Sequence, residues 1–107
     1  MLRFKLVFFA PVKDTSRILT HLFAKHPQTI GKIGQYESCA FVCPGTGQFR
    51  SGLEAHPTIG KPGELEFVEE NRIEVVVIDK GGNEEIREAI HELKAVCDND
   101  SRTFSPG

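Results

Sequence analysis

The stretch Glu64-Leu65-Glu66-Phe67-Val68-Glu69-Glu70-Asn71-Arg72-Ile73-Glu74-Val75-Val76-Val77 decides the fold. Leu65 and Phe67, then Ile73, Val75 and Val77, alternate with Glu64, Glu66, Arg72 and Glu74. A period of two is the signature of β-structure with one dry and one wet face. The pattern predicts two strand segments or one long bent strand. Lys80-Gly81-Gly82 then reads as a loop and Asn83 as a helix N-cap. Beyond it the period changes. Ile86, Ala89, Ile90, Leu93 and Val96 recur at helical spacing, behind Glu84 and Glu85, whose charges suit a helix N-terminus. A stripe of this kind must face the sheet, because no other element offers it an apolar partner.

Working towards the N-terminus, Ser38-Cys39-Ala40-Phe41-Val42-Cys43 alternates with small or apolar residues on both faces, which predicts an interior strand. Pro44-Gly45-Thr46-Gly47 reads as a turn or bulge, and Gln48-Phe49-Arg50 as a resumed extended segment. Residues 51–63 carry three glycines and two prolines and read as a long surface loop. Residues 29–37 are a second loop. Ile18, Leu19, Leu22 and Phe23 form a helical stripe behind the N-cap candidates Asp14, Thr15 and Ser16, and Pro27 stops that helix. Residues 4–10, a nearly continuous aromatic-rich apolar run ended by Pro11, predict a strand buried on both faces and central in its sheet.

The order strand, helix, strand, strand, helix is α+β. It predicts a ferredoxin-like split βαβ sandwich, two helices on one face of an antiparallel sheet, with no legible last strand. Residues 1–97 form a single domain on this reading. Residues 98–107 are polar and lack a strand pattern, which predicts a loose C-terminal tail.

The chain of 107 residues is long enough for one domain and carries 26% charged and 39% hydrophobic residues, as ordinary globular proteins do. No apolar run approaches the roughly 20 residues of a membrane span, and the start lacks the pattern of a signal peptide. The net charge of -2 provides no general attraction to nucleic acid or anionic lipid. The charge is unevenly spread. Residues 1–53 hold seven Lys/Arg against two Asp/Glu, and residues 54–107 six against thirteen. Either the halves interleave in one fold, or a basic face meets an acidic face of a neighbouring copy.

Three cysteines, with no zinc-type spacing, point to a reducing compartment, hence the cytoplasm, and to thiols used as small buried apolar groups. Cys39 and Cys43, four residues apart on one straight strand, would stand roughly 13 Å apart, too far for a disulfide. The histidines His21, His26, His56 and His91 form no paired ligand motif. His21 and His91 read as surface helix residues. Glu64, Glu66, Glu69, Glu70 and Glu74 read as a solvated strand face, since no nucleophile or metal set accompanies them. No catalytic constellation is visible and no cofactor is indicated.

Several segments occur in a fixed order: Phe4-Lys5-Leu6-Val7-Phe8-Phe9-Ala10-Pro11-Val12, Ile33-Gly34-Gln35-Tyr36-Glu37-Ser38-Cys39-Ala40-Phe41, Gly45-Thr46-Gly47-Gln48-Phe49-Arg50, His56-Pro57-Thr58-Ile59-Gly60 and the long segment from Gly63 to Glu74. Together they resemble the small CutA/PII-like domain inserted in many Nif-three-like proteins, a dinuclear-metal family related to type 2 GTP cyclohydrolase. The resemblance covers about residues 4–96. It implies a ferredoxin-like fold and an oligomeric habit, a homodimer or homotrimer, but not the metal site, which belongs to the host's flanking domain. The family follows its second helix with a His-Pro-Tyr-Glu-Glu-like segment and a final strand; here Ala95-Val96-Cys97-Asp98-Asn99-Asp100 stands instead.

The ligand-binding candidates are Gly45, Thr46, Gly47, Gln48, Arg50 and His56. Two glycines let backbone amides approach an anion, and Arg50 could add a bidentate contact. No Lys-Ser/Thr follows the glycines, so this is not a nucleotide P-loop. The competing reading is a corner whose Arg50 pairs with a glutamate. The expected function is a non-enzymatic, self-associating PII/CutA-like module that senses a small ligand or metal ion. The alternative is an accessory or interaction domain for a Nif-three-like dinuclear-metal hydrolase, with a protein partner. Neither reading involves nucleic acid or membrane.

Overall fold

A computed structural model describes residues 1–52 and 61–97. The alternating stretch forms one strand, β3 (Leu65–Asp79), and this is the centre of a three-stranded antiparallel sheet. On one side lies β1 (Leu2–Pro11), in register from Leu2 opposite Asp79 to Pro11 opposite Glu70. On the other lies β2 (Phe41–Arg50), from Phe41 opposite Glu74 to Arg50 opposite Leu65. Two helices, α1 (Thr15–Lys25) and α2 (Glu84–Cys97), complete the element order β1-α1-β2-β3-α2. This is the α+β, ferredoxin-like split βαβ arrangement that the periodicity predicts.

Both helices supply the stripes read from their spacing. Ile18 and Leu22 of α1 and Ala89, Leu93 and Cys97 of α2 are buried with Ile73, Val75 and Val77 of β3 and Phe8 and Ala10 of β1. Leu19, Phe23, Ile86 and Val96 flank this core. The other sheet face, with Arg3, Lys5, Val7 and Phe9 beside Ile78, Val76, Glu74 and Arg72, has no helix over it among the described residues.

Three expectations are corrected. First, among the described strands β1 lies at the edge of the sheet, not at its centre. Its apolar run is buried on the helix side only, and Phe9 on the open face is 38% exposed. The centre goes to β3 because its hairpin with β2 inserts it between the two parallel strands of the split βαβ unit. Second, Pro44-Gly45-Thr46-Gly47 neither turns nor bulges but runs straight through β2. Pro44 is tolerated because β2 lies at the edge of the described sheet, where a missing N–H need not break a ladder. Third, β2 starts at Phe41, not Ser38, and is largely exposed rather than interior. Ser38 takes φ 56, and the Cys39 amide donates to the Gly31 carbonyl at 2.8 Å, which holds this segment in the preceding loop.

That loop is tied to β3. The Gly31 amide donates to the Val76 carbonyl, the Ile78 amide to the Thr29 carbonyl, both at 2.8 Å, and Ile30 between them is fully buried. Gly31 has φ +79, and a Cβ there would collide with the Phe23 ring. Gly31→Ala is therefore expected to destabilise the fold by about 1–3 kcal/mol, the cost of a left-handed backbone plus the clash. Urea unfolding will show this, whereas Gly34→Ala, with φ +58 but open space around the added Cβ, is expected to cost less.

A buried polar relay joins sheet to helix. Asn71 Nδ2 donates to Thr15 Oγ1 at 2.9 Å, and the Thr15 hydroxyl donates to the Pro11 carbonyl at 3.1 Å. Thr15 thus turns back towards β1 instead of capping α1. Beyond Pro11, β1 ends, but the β2–β3 ladder continues to Arg50 opposite Leu65. Residues 46–50 and 65–69 therefore form a two-stranded arm projecting roughly 17 Å past the third strand. The residues 53–60, the central part of the expected surface loop, and the expected tail at 98–107 lie outside the described residues.

Candidate functional site

Strand alternation sorts the candidate ligand residues onto two faces. Gly45 and Gly47, with their register partners Glu70 and Val68, belong to the open face. Thr46, Gln48 and Arg50, opposite Glu69, Phe67 and Leu65, belong to the other. A shallow groove of about 240 Å³ runs along the base of the arm, lined by Phe9, Cys43, Pro44, Gly45, Thr46, Gly47, Glu70 and Arg72. It gathers three of the six candidates. Gln48 and Arg50 do not line it, and His56 lies outside the described residues.

Gly47 has a local reason to be glycine. A Cβ at that position would run into the Glu70 carboxylate, which lies across it. The carboxylate of Glu70 occupies the space over Gly47, whereas the space at Gly45 is open, and the cation in the groove is Arg72. Arg72 in turn hydrogen-bonds Glu74, and Lys5 Nζ approaches the other Glu74 oxygen at 3.3 Å. These hydrogen bonds, Arg72's first and then Lys5's, hold the Glu74 carboxyl below its ordinary range against a smaller opposing effect of burial. The groove therefore carries compensated charge.

Next along the same face, Lys5, Ile33, Cys39, Ala40, Phe41, Glu74, Val75 and Val76 line a second hollow of about 240 Å³ with mostly apolar walls. Tyr36, Phe41 and Ile33 nearby are 76%, 61% and 43% exposed. The expectation that the cysteines are small buried groups holds for Cys97 only. Cys39 is half-buried and Cys43 is exposed.

His21 is more than a surface helix residue. Its Nε2 lies 2.9 Å from Glu92 Oε2, a bridge between α1 and α2, and this hydrogen bond keeps the Glu92 carboxyl below its usual range. His26 and His91 line a separate shallow hollow with Arg87, Glu88 and Glu92. Among the described residues no group of three or more His, Cys, Asp or Glu is placed to hold a metal ion, and no helix is long and apolar enough to cross a membrane. The glutamate ribbon is divided by the pleat, with Glu66, Glu70 and Glu74 on the open face and Glu69 on the other.

Sequence reading missed Phe9, Cys43, Glu70 and Arg72 as groove residues. Their proximity is a consequence of cross-strand register, which pairs Cys43 with Arg72 and Phe9 with the same Arg72 from the other side. No local motif announces it.

The described residues thus define a three-stranded split βαβ unit with one sheet face free of described helices. No family model matches the chain. It is, however, similar to part of the Nif-three-like proteins. The GTP cyclohydrolase 1 type 2 homolog of Halalkalibacterium halodurans is 41% identical over 76 residues, which is 71% of this chain and 20% of that protein. The Bacillus subtilis homolog of the same name is 50% identical over 46 residues, 43% of this chain and 12% of that one. The crystal structure of a Bacillus cereus protein related to NIF3 superposes with TM-score 0.64 and 31% identity, over 88% of this chain and 21% of that chain. The chain thus spans about a fifth of the length of the first of these relatives and of the solved structure.

Proposed function

We propose that this chain is a non-enzymatic interaction module that acts beside a Nif-three-like dinuclear-metal protein. What carries the reading is the pairing of 71% coverage of this chain with 20% coverage of its H. halodurans relative. The similarity is to one unit of a larger protein. The open sheet face, with exposed Phe41 and Tyr36 around a compensated Lys5–Glu74–Arg72 cluster, is the kind of surface that a protein partner covers. The free thiols of half-buried Cys39 and exposed Cys43 support a reducing, cytoplasmic setting.

The test deletes the matched segment from the H. halodurans relative and supplies this chain as a separate protein. Native mass spectrometry is expected to show a complex between the two, and the chain alone to leave GTP unchanged. Separate species at every ratio overturn the reading.

A second reading, a module that senses a small ligand, rests on the groove at Gly45, Thr46 and Gly47. Because Arg72 and not Arg50 lines that groove, the outcome expected from an anion site is specific. Inorganic phosphate should move the Gly45 and Gly47 amide resonances saturably, Arg72→Ala should abolish the effect, and Arg50→Ala should not. A titration without saturation removes this reading.

A further inference from the structure

On the open face, the ladder between β2 and β3 starts at Phe41 opposite Glu74. Two residues further along β3, the loop before β2 takes over, with the Gly31 amide on the Val76 carbonyl. The chain between these two points, residues 32–40, leaves the sheet and returns to it. The apolar hollow of about 240 Å³ lies in the gap so formed. This excursion is pinned at both ends. The Cys39 amide on the Gly31 carbonyl, at 2.8 Å, closes its base, and Ile33 and Tyr36 exchange two backbone hydrogen bonds at 2.9 Å near its tip. Glu37 Oε1 accepts from Gln28 Nε2 at 3.3 Å and lies 3.9 Å from Lys32 Nζ. The hollow is therefore preformed, and filling it costs little ordering of the chain.

Its walls and its rim differ in chemistry. Ile33, Ala40, Phe41 and Val76 supply apolar walls, and the Phe41 residue is 61% exposed. An aromatic face beside an apolar hollow is contact surface for a second ring. The volume is below the roughly 300–1,000 Å³ of drug-sized sites, so it suits one ring and not a nucleotide. Among the described residues the charged groups lining it are Lys5 and Glu74. Glu74 has two cations, Arg72 by hydrogen bond and Lys5 Nζ at 3.3 Å. These three groups carry one positive charge in excess. Lys5 lines the hollow and Arg72 does not, so the excess faces the hollow through Lys5. The Lys5 side chain is 67% exposed, and an ammonium has three donors, enough for Glu74 and a second carboxylate.

We propose that this hollow binds a small aromatic carboxylate, its ring against Ile33, Phe41 and Val76 and its carboxylate on the Lys5 ammonium. The apolar walls hold the body of the ligand, and the excess positive charge selects an acid over its neutral counterpart. Arg72 keeps Glu74 neutralised, so the ligand's carboxylate need not displace a free anion. The site is separate from the groove at Gly45 and Gly47, and the proposal does not rest on the interaction-module reading.

The experiment is a titration of the full chain with phenylacetate, followed by amide NMR. The resonances of Ile33, Ala40, Phe41 and Val76 are expected to move together and to saturate. The neutral isostere phenylacetamide should bind roughly two- to fivefold more weakly, the range for an exposed ion pair. Lys5→Gln should bring phenylacetate down to the phenylacetamide value. Lys5→Arg should restore the parent affinity, and Lys13→Gln, at an exposed lysine outside the hollow, should retain it. Ala40→Leu, at an exposed wall position, should fill the hollow and remove both probes. Shifts that do not saturate overturn the proposal. So does equal binding of acid and amide, or binding that ignores both Lys5→Gln and Ala40→Leu. Saturation confined to the Gly45 and Gly47 amides puts the ligand in the groove instead and overturns it too. A chain that binds no phenylacetate but still forms a complex with the truncated Nif-three-like relative leaves the module reading standing.

Discussion

Leu93→Ala is expected to lower the stability of the domain by roughly 2–5 kcal/mol. Leu93 is 1% exposed and sits in the core between Ala89 and Cys97 on α2, facing Ile73, Val75 and Val77 of the central strand. Truncation removes its transfer free energy and leaves a cavity that the neighbouring elements fill only partly. A small domain has roughly 5–15 kcal/mol in total, so the loss is a large share. Chemical denaturation of the variant should show an earlier midpoint with an unchanged slope. A midpoint within error of the parent would mean that α2 does not pack as described. His91→Ala, on the exposed side of the same helix, is the control and should leave the midpoint near that of the parent.

Asp79→Ala is the second large effect. Asp79 ends β3 and is fully buried. Its Oδ1 accepts from the Gly81 amide at 2.7 Å and the Asn83 amide at 3.0 Å, and its Oδ2 from the Ile86 amide at 3.0 Å. One carboxylate thus organises the turn and holds the first turn of α2, where the macrodipole favours negative charge. Burial pushes its pKa up, but the hydrogen bonds from Gly81, Ile86 and Asn83 outweigh it and leave the value below the ordinary 3.8. A depressed carboxyl pKa contributes stability that is fully present above the unfolded-state value and is lost as pH falls through the folded-state value. The parent should therefore lose stability on acidification below about pH 4. Asp79→Ala should melt well below the parent at neutral pH and show a shallower acid limb. A shallower limb, not a flat one, is expected because Glu74 and Glu92 are also held below their usual ranges. Equal melting temperatures at neutral pH would show that the cap contributes nothing.

Asp79 also marks where local reading stops. The loop Lys80-Gly81-Gly82 and the cap position at Asn83 were legible, since glycines and Asn are turn and cap residues. Yet Asn83 takes φ 65, and the side chain that binds the first helical amides comes from four residues earlier. The signal was an acidic residue at the end of an apolar strand, directly before a glycine pair. Alternation alone marks Asp79 only as one more buried position of the strand.

The groove shows the same limit. The two glycines and Arg50 lie within six residues, and that nearness suggested a single corner. In an extended strand, neighbours in sequence point to opposite faces, so nearness of this kind separates side chains instead of gathering them. Straightening Pro44-Gly45-Thr46-Gly47 into β2 moved Arg50 off the groove and brought Arg72 into it through its pairing with Cys43.

What the sequence determined by itself is what depends on period and local chemistry: the two helical stripes, the alternation of β3 and the element order that implies a split βαβ unit. These survive because burial of one face is dictated by the residues on that face. Tertiary structure alone decided which strand is central, which faces stay open and how far each ladder runs. An apolar run such as Phe8-Phe9-Ala10 contains no record of how many neighbours it has, and β1 stands at the edge of the described sheet although its composition suits a centre. The arm exists only because β1 ends opposite Glu70 while β2 continues to Leu65, a difference in pairing length that no single segment encodes.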